Sequence, residues 1–153
     1  MTDTRLTEAR WTHVALPCGD LDASIEFYTS LTPLVVVERF SDDDGESAWL
    51  SNDKQADSPF VLVLVSFNSS KGNQLGLLKP FAHLGIEVPD RADVDAIADR
   101  AREAGTLQWE PRDMPGVVGY ICALNDPDGN VIEISHNQKV YELVRGKWGT
   151  GAE

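Results

Sequence analysis

The sequence predicts an α+β fold made of two βαβββ modules, and three observations carry that expectation. Strand-like and helix-like segments run in the same order twice along the chain. The stretch "THVALPCGDLDA" (12–23) lies over "AHLGIEVPDRAD" (82–93), with His13 on His83 and Asp20 on Asp90. At 153 residues and 42% hydrophobic content the chain can fill one core, so a single domain is expected over 1–153, with modules at about 10–68 and 80–137.

Each element has a local reason. "WTHVALPC" alternates as a strand does, and Asp20 is placed to cap a helix whose apolar positions are Leu21, Ile25, Tyr28 and Leu31. Pro33 ends that helix. "LVVVERF", "SAWLS" and "FVLVLVSF" read as three further strands separated by the turn-prone "SDDDGE" and "NDKQADSP". After the connector "NSSKGNQLG" the pattern restarts with the strand "FAHLGIEVP" and the helix "DRADVDAIADRAREAG". In that helix Val94, Ile97, Ala98 and Ala101 share a face, and Gly105 closes it. "LQWEP", "VGYICAL" and "NVIEISH" complete the second set of strands. The tail "QKVYELVRGKWG" spaces Val140, Leu143 and Val144 as a short helix would.

Composition narrows the function. Thirteen basic against twenty-five acidic residues give a formal charge of −12, which repels nucleic-acid backbones and anionic lipid. No apolar run is long enough to span a membrane, and the N-terminus lacks the layout of a secretory signal, so a cytoplasmic protein is expected. Cys18 and Cys122 have neither metal-site spacing nor the density of a disulfide scaffold, and read as small core residues.

Strand parity then selects a site. Side chains alternate between the two faces of a sheet, so Val14 and Leu16 should pack on the first helix while His13 and Ala15 face the other way. In the second module Leu84 and Ile86 take the helix face, leaving His83 and Gly85 opposite. Ala15 and Gly85 leave open volume beside each imidazole. On the last strand Ile132 and Ile134 should meet the helix, which turns Glu133 to the same side as the histidines. An ionised carboxylate withdrawn from water needs a partner, and two imidazoles with one carboxylate suggest that the partner is a metal ion. His136 has the parity of Ile134 and points away.

The duplicated layout, "THVALPCGDLDASIEFY", "FAHLGIEV" and "LNDPDGNVIEI" together resemble the vicinal oxygen chelate superfamily, which groups glyoxalase I, bleomycin-resistance proteins, fosfomycin-resistance enzymes and extradiol dioxygenases. The resemblance covers roughly residues 10 to 137. It implies that the modules form an open cup of eight strands and that His13, His83 and Glu133 hold a divalent ion, whether Fe, Mn, Zn or Ni. Glyoxalase I carries a fourth ligand on the last strand of its first half. The matching position here is Leu64, or Val63 if the register slips, and neither can bind metal. Dioxygenases of the superfamily carry a His and a Tyr shortly before the closing motif, where this chain has Met114, Pro115 or Gly116, and Cys122 and Ala123.

Two imidazoles and a carboxylate around a divalent ion carry a net charge of about +1 and leave about three of six positions open, suited to a small substrate that chelates through two oxygens. Asp53 and Tyr120 are candidate catalytic groups, with Glu46 and Glu110 as further acids. Trp49, Phe60, Trp109 and Tyr120 are candidates for a substrate-lining aromatic wall. The expected protein is a metal-dependent lyase, isomerase or dioxygenase acting on a small molecule, as a homodimer that could exchange modules between chains. The alternative is a metal-free antibiotic-sequestering protein of the bleomycin-resistance kind.

Overall fold

The computed structural model describes residues 9–78 and 81–149. The first module comprises β1 (His13–Pro17), α1 (Leu21–Leu31), β2 (Val35–Ser41), β3 (Gly45–Ser51) and β4 (Val61–Phe67). The second comprises β5 (His83–Glu87), α2 (Arg91–Glu103), β6 (Leu107–Met114), β7 (Gly119–Asn125) and β8 (Val131–His136), followed by α3 (Val140–Trp148). The eight strands fall into two sheets of four, ordered β1-β4-β3-β2 and β5-β8-β7-β6, so each module repeats the same topology.

The helices begin and end where the sequence places their caps. The Asp20 carboxylate accepts from the Ala23 backbone N–H at 3.0 Å. Pro33 then holds Thr32 extended (φ −132°, ψ 167°), which stops α1. At α2 the Asp90 N–H donates to the Asp93 carboxylate at 3.0 Å, and Gly105 at φ +72° supplies the left-handed turn that ends the helix. Val94, Ile97, Ala98 and Ala101 form its buried stripe. One strand outruns the sequence expectation. β6 continues three residues past Pro111, because Pro111 falls at a register irregularity between Trp109 and Arg112 on an edge strand, where a missing N–H breaks no ladder.

The two modules share a single buried cluster drawn from both helices and the helix-facing sides of both sheets, including Leu16, Tyr28, Leu64, Val94, Leu124 and Ile132. Cys18 and Cys122 are buried, unpaired members of it. The loop Asp126–Asn130 binds the modules together. Asp126 accepts from the backbone N–H groups of Asp128 and Asn130, from the Asn130 amide, and from the Tyr28 hydroxyl of α1 at 2.6 Å. Asp128 accepts from the N–H groups of Gly19 and Leu75, and Asn130 from those of Leu77 and Leu78. The sequence marks this stretch only as a turn. In the fold it is a polar latch whose buried acceptors are all used, and it clamps the connector between modules. Gly19 is required there, since a Cβ would sit 1.9 Å from the Asn73 carbonyl oxygen.

Because the modules join through their helix-facing sides, the opposite face of each sheet is turned away from the shared core, although at the centre of the second sheet Ile121, Ala123 and Glu133 on that face are themselves buried. His13, Ala15 and Trp49 on the first, and His83 and Gly85 on the second, are all exposed.

Candidate functional site

Register defines the site. In the first module Ala15 pairs with Val63 and Val63 with Trp49; in the second Gly85 pairs with Glu133, Glu133 with Ala123 and Ala123 with Trp109. The rows are equivalent, so Val63 is the counterpart of Glu133. Leu64 instead pairs with Leu16 and Ala48 in the core, which corrects the alignment made from sequence. The position where glyoxalase I would present a fourth donor is therefore an aliphatic side chain.

His83 and Glu133 come together: His83 Nε2 lies 3.2 Å from Glu133 Oε2. Glu133 is only 8% exposed. Its second oxygen accepts from the Gln138 amide at 2.8 Å. His83 Nδ1 lies 2.6 Å from the Phe81 carbonyl oxygen. A carbonyl only accepts, so Nδ1 carries the hydrogen, and in a neutral imidazole Nε2 is then a lone pair 3.2 Å from a carboxylate oxygen. The two acceptors stand close enough to share one cation. The spacing suits a cation. Two donors each about 2.1 Å from one ion and 3.2 Å apart subtend nearly a right angle. A fixed ring tautomer and a hydrogen-bonded carboxylate are also what a metal ligand pair requires of its surroundings.

His13 does not join this pair within one chain. It lies on the outward face of the other sheet, with its Nδ1 2.8 Å from the Thr12 hydroxyl. Among the described residues no three His, Cys, Asp or Glu side chains are grouped to hold a metal ion. The expectation that His13, His83 and Glu133 converge is thus corrected for a single copy, because joining the modules through their helices points the two inner faces apart. Beside His13 lies a cavity of about 450 Å³ walled by Trp11, Trp49, Pro59, Val61 and Val63.

The remaining candidates divide. Trp49 lies on the His13 face, and Trp109 on the Glu133 row, where Arg112 stacks 5.0 Å from its ring. Tyr120 is on the helix side: its hydroxyl donates to Asp95 of α2 and Arg91 stacks 3.6 Å from its ring, so it has no place beside Glu133. The Asp95 acceptor and partial desolvation push the phenol above its ordinary range. Phe60 lines a cavity between the modules rather than the His13 face. Asp53 opens an exposed 3₁₀ turn whose neighbours Asn52 and Gln55 line that same cavity. Glu110 is ion-paired to Arg102, which holds its carboxyl below the usual range, and Glu46 is exposed and 4.0 Å from Arg39.

Parity could not have found Gln138. Asn137 adopts φ +60°, a left-handed conformation that breaks the alternation of β8 and returns the chain to Glu133. An Asn directly after a strand, a residue tolerant of that region, was the available signal.

The chain matches the Glyoxalase/Bleomycin resistance protein/Dioxygenase superfamily over residues 10–134. It belongs to that superfamily. It is 38% identical to an uncharacterised protein of Pseudomonas aeruginosa over 83% of this chain and 88% of that one. It is 26% identical to a Vibrio cholerae protein named "Probable lactoylglutathione lyase", over 92% of this chain and all of that one. The solved structure of Leishmania major glyoxalase I superposes with a TM-score of 0.66 at 23% identity, covering 92% of this chain and 95% of that one. At that identity the likeness shows the fold alone. No helix among the described residues is long and apolar enough to cross a membrane.

Proposed function

We propose that the protein is a divalent-metal-dependent enzyme acting on a small substrate with two neighbouring oxygens, of the lyase or isomerase kind, with its metal held by His83 and Glu133 of one copy and His13 of a second. The observation that carries this is the pair of facing acceptors, His83 Nε2 and the nearly buried Glu133 carboxylate, 3.2 Å apart with the imidazole hydrogen committed to Phe81. The name of the Vibrio cholerae relative supports the lyase class.

A bound divalent ion would supply Lewis acidity to an oxygen pair of the substrate. The chain's own residues prepare the surroundings. Gln138 fixes the Glu133 carboxylate, Phe81 fixes the His83 ring, and Val61, Val63 and Trp49 form an apolar wall beside His13 that keeps water from the reacting oxygens. Val63 removes the fourth donor and leaves one more coordination position for substrate or water than a four-ligand glyoxalase I site offers. A twofold dimer would set the outward face of the first module against that of the second, making two equivalent sites.

Elemental analysis of chelator-free protein tests the proposal. It predicts close to one Fe, Mn, Zn or Ni per chain, lost in His83→Ala. The cavity beside His13 favours a second reading, sequestration of a small aromatic compound against Trp49 without metal. A metal-free wild type that binds such a compound would establish that reading and refute the first.

A further inference from the structure

The helices pack chiefly over β2–β4 and β6–β8, and the helix-facing residues Val14, Leu84 and Ile86 of β1 and β5 are only partly buried where the modules meet. A cavity of about 400 Å³ lies there. Val14 and Leu62 wall it from the first module, Leu84 and Ile86 from the second, and Phe60 from the approach to β4. By parity the side chains of Val14, Leu62, Leu84 and Ile86 point away from His13 and His83, while Gly85, Glu87 and Gln138 carry the cavity to the edge of the metal-facing surface. Its volume lies within the range of about 300–1,000 Å³ usual for small-molecule pockets.

Its mouth is built differently from its walls. Asn52, Gln55, Gln138 and Glu87 supply the polar groups, and Val140 and Tyr141 of α3 lie over it. Gln55 donates to the Tyr141 hydroxyl at 2.9 Å and pins the helix in place. None of the nine residues of α3 is buried. A helix held through such a surface contact, with no core anchor of its own, can lift. Among the described residues no Lys, Arg or His lines the cavity and Glu87 is its one charged group, and the chain carries −12, so an anionic ligand is disfavoured.

We infer that the inter-module cavity is a second small-molecule site, for a neutral molecule with an apolar body and one hydrogen-bonding end, admitted beneath α3. The apolar body meets Leu62, Leu84 and Ile86, and the polar end meets the amides of Asn52 and Gln55 at the mouth. Gln138, which also lines the cavity, holds Glu133, so an occupant would be felt at the metal-facing carboxylate. The inference stands independently of whether metal binds.

The test is a titration of the ¹⁵N-labelled full chain with 4-propylphenol, neutral at pH 7, followed by amide chemical shifts. Saturable shifts centred on Val14, Leu84, Ile86 and Tyr141, with Trp49 and Val63 unmoved, are expected. The carboxylate analogue 3-(4-hydroxyphenyl)propanoate should bind at least about tenfold more weakly. Leu84→Trp, which fills the chamber, should abolish saturation while Trp49→Ala leaves it intact. Absence of saturable shifts in the wild type, shifts centred on Trp49 and Val63, or equal affinity for the carboxylate would overturn the assignment.

Discussion

The inner rows of the two modules, Ala15–Val63–Trp49 and Gly85–Glu133–Ala123, occupy equivalent places in equivalent sheets, yet only the second carries a carboxylate. The first offers an imidazole against an apolar wall; the second offers an imidazole against a nearly buried acid held by Gln138. Topology and parity dictate which positions face the site, while the side chain at each is free to diverge. The comparison teaches that equivalent positions in the two halves have diverged in chemistry, so that in the proposed site the halves contribute unequally, and that the second also supplies the latch of Asp126, Asp128 and Asn130 holding the halves together.

The largest expected effect comes from the unequal row itself. Glu133→Ala should reduce metal content to near zero by elemental analysis, whereas Val63→Ala should leave it unchanged; equal loss in both would break the comparison. Next is the latch. Asp126→Ala leaves the Tyr28 hydroxyl and two buried N–H groups without their acceptor, and urea unfolding should register a loss of about 3 kcal/mol. Tyr28→Phe, which removes the inter-module bond alone, should cost about 1 kcal/mol.

Gln138→Ala should weaken metal affinity about 10- to 100-fold in a competitive chelator titration, with little change in unfolding free energy, because it orients Glu133 without supporting the core.

The smallest effect is a pH dependence to which each module contributes one thiol. Burial, followed by the Asp128 charge, pushes the Cys18 thiol up to about 11; burial, followed by the Asp95 charge, pushes Cys122 up to about 12. A thiol whose folded pKa is raised stays protonated while the unfolded chain ionises from about pH 9. Stability from these groups is therefore full below pH 9 and falls as pH rises through 11 to 12. Thermal melting should be flat from pH 7 to 8.5 and by pH 10 decline by the equivalent of about 1 kcal/mol per thiol, and Cys18→Ala should remove the first-module share.

Much of this was legible in the sequence. The duplicated order of elements, the helix caps at Asp20 and Gly105, and the faces of β1, β5 and β8 followed from periodicity and turn chemistry, which are local. Alternation also put His83 and Glu133 on one face, because both lie on regular strands. Tyr120 and Phe60 were candidates by residue type alone, and both stand on the helix side, Tyr120 with the parity of Cys122 and Phe60 with that of Leu62. Gln138 was hidden by the left-handed turn at Asn137. The latch was hidden because its partners, Tyr28, Gly19 and the connector, are distant in sequence. The placement of His13 was beyond local rules altogether, since it depends on which faces the modules use to join.

The most direct test of the shared site is complementation between two inactive variants. His13→Ala and His83→Ala are purified, each with its metal lost, then mixed and allowed to exchange subunits in the presence of the wild-type metal. If each site takes His13 from one copy and His83 with Glu133 from the other, half of the dimers are mixed and each mixed dimer carries one intact site, so metal content should recover to about a quarter of the wild-type value. No recovery, despite mixed dimers shown by mass spectrometry, would contradict a site built across two chains.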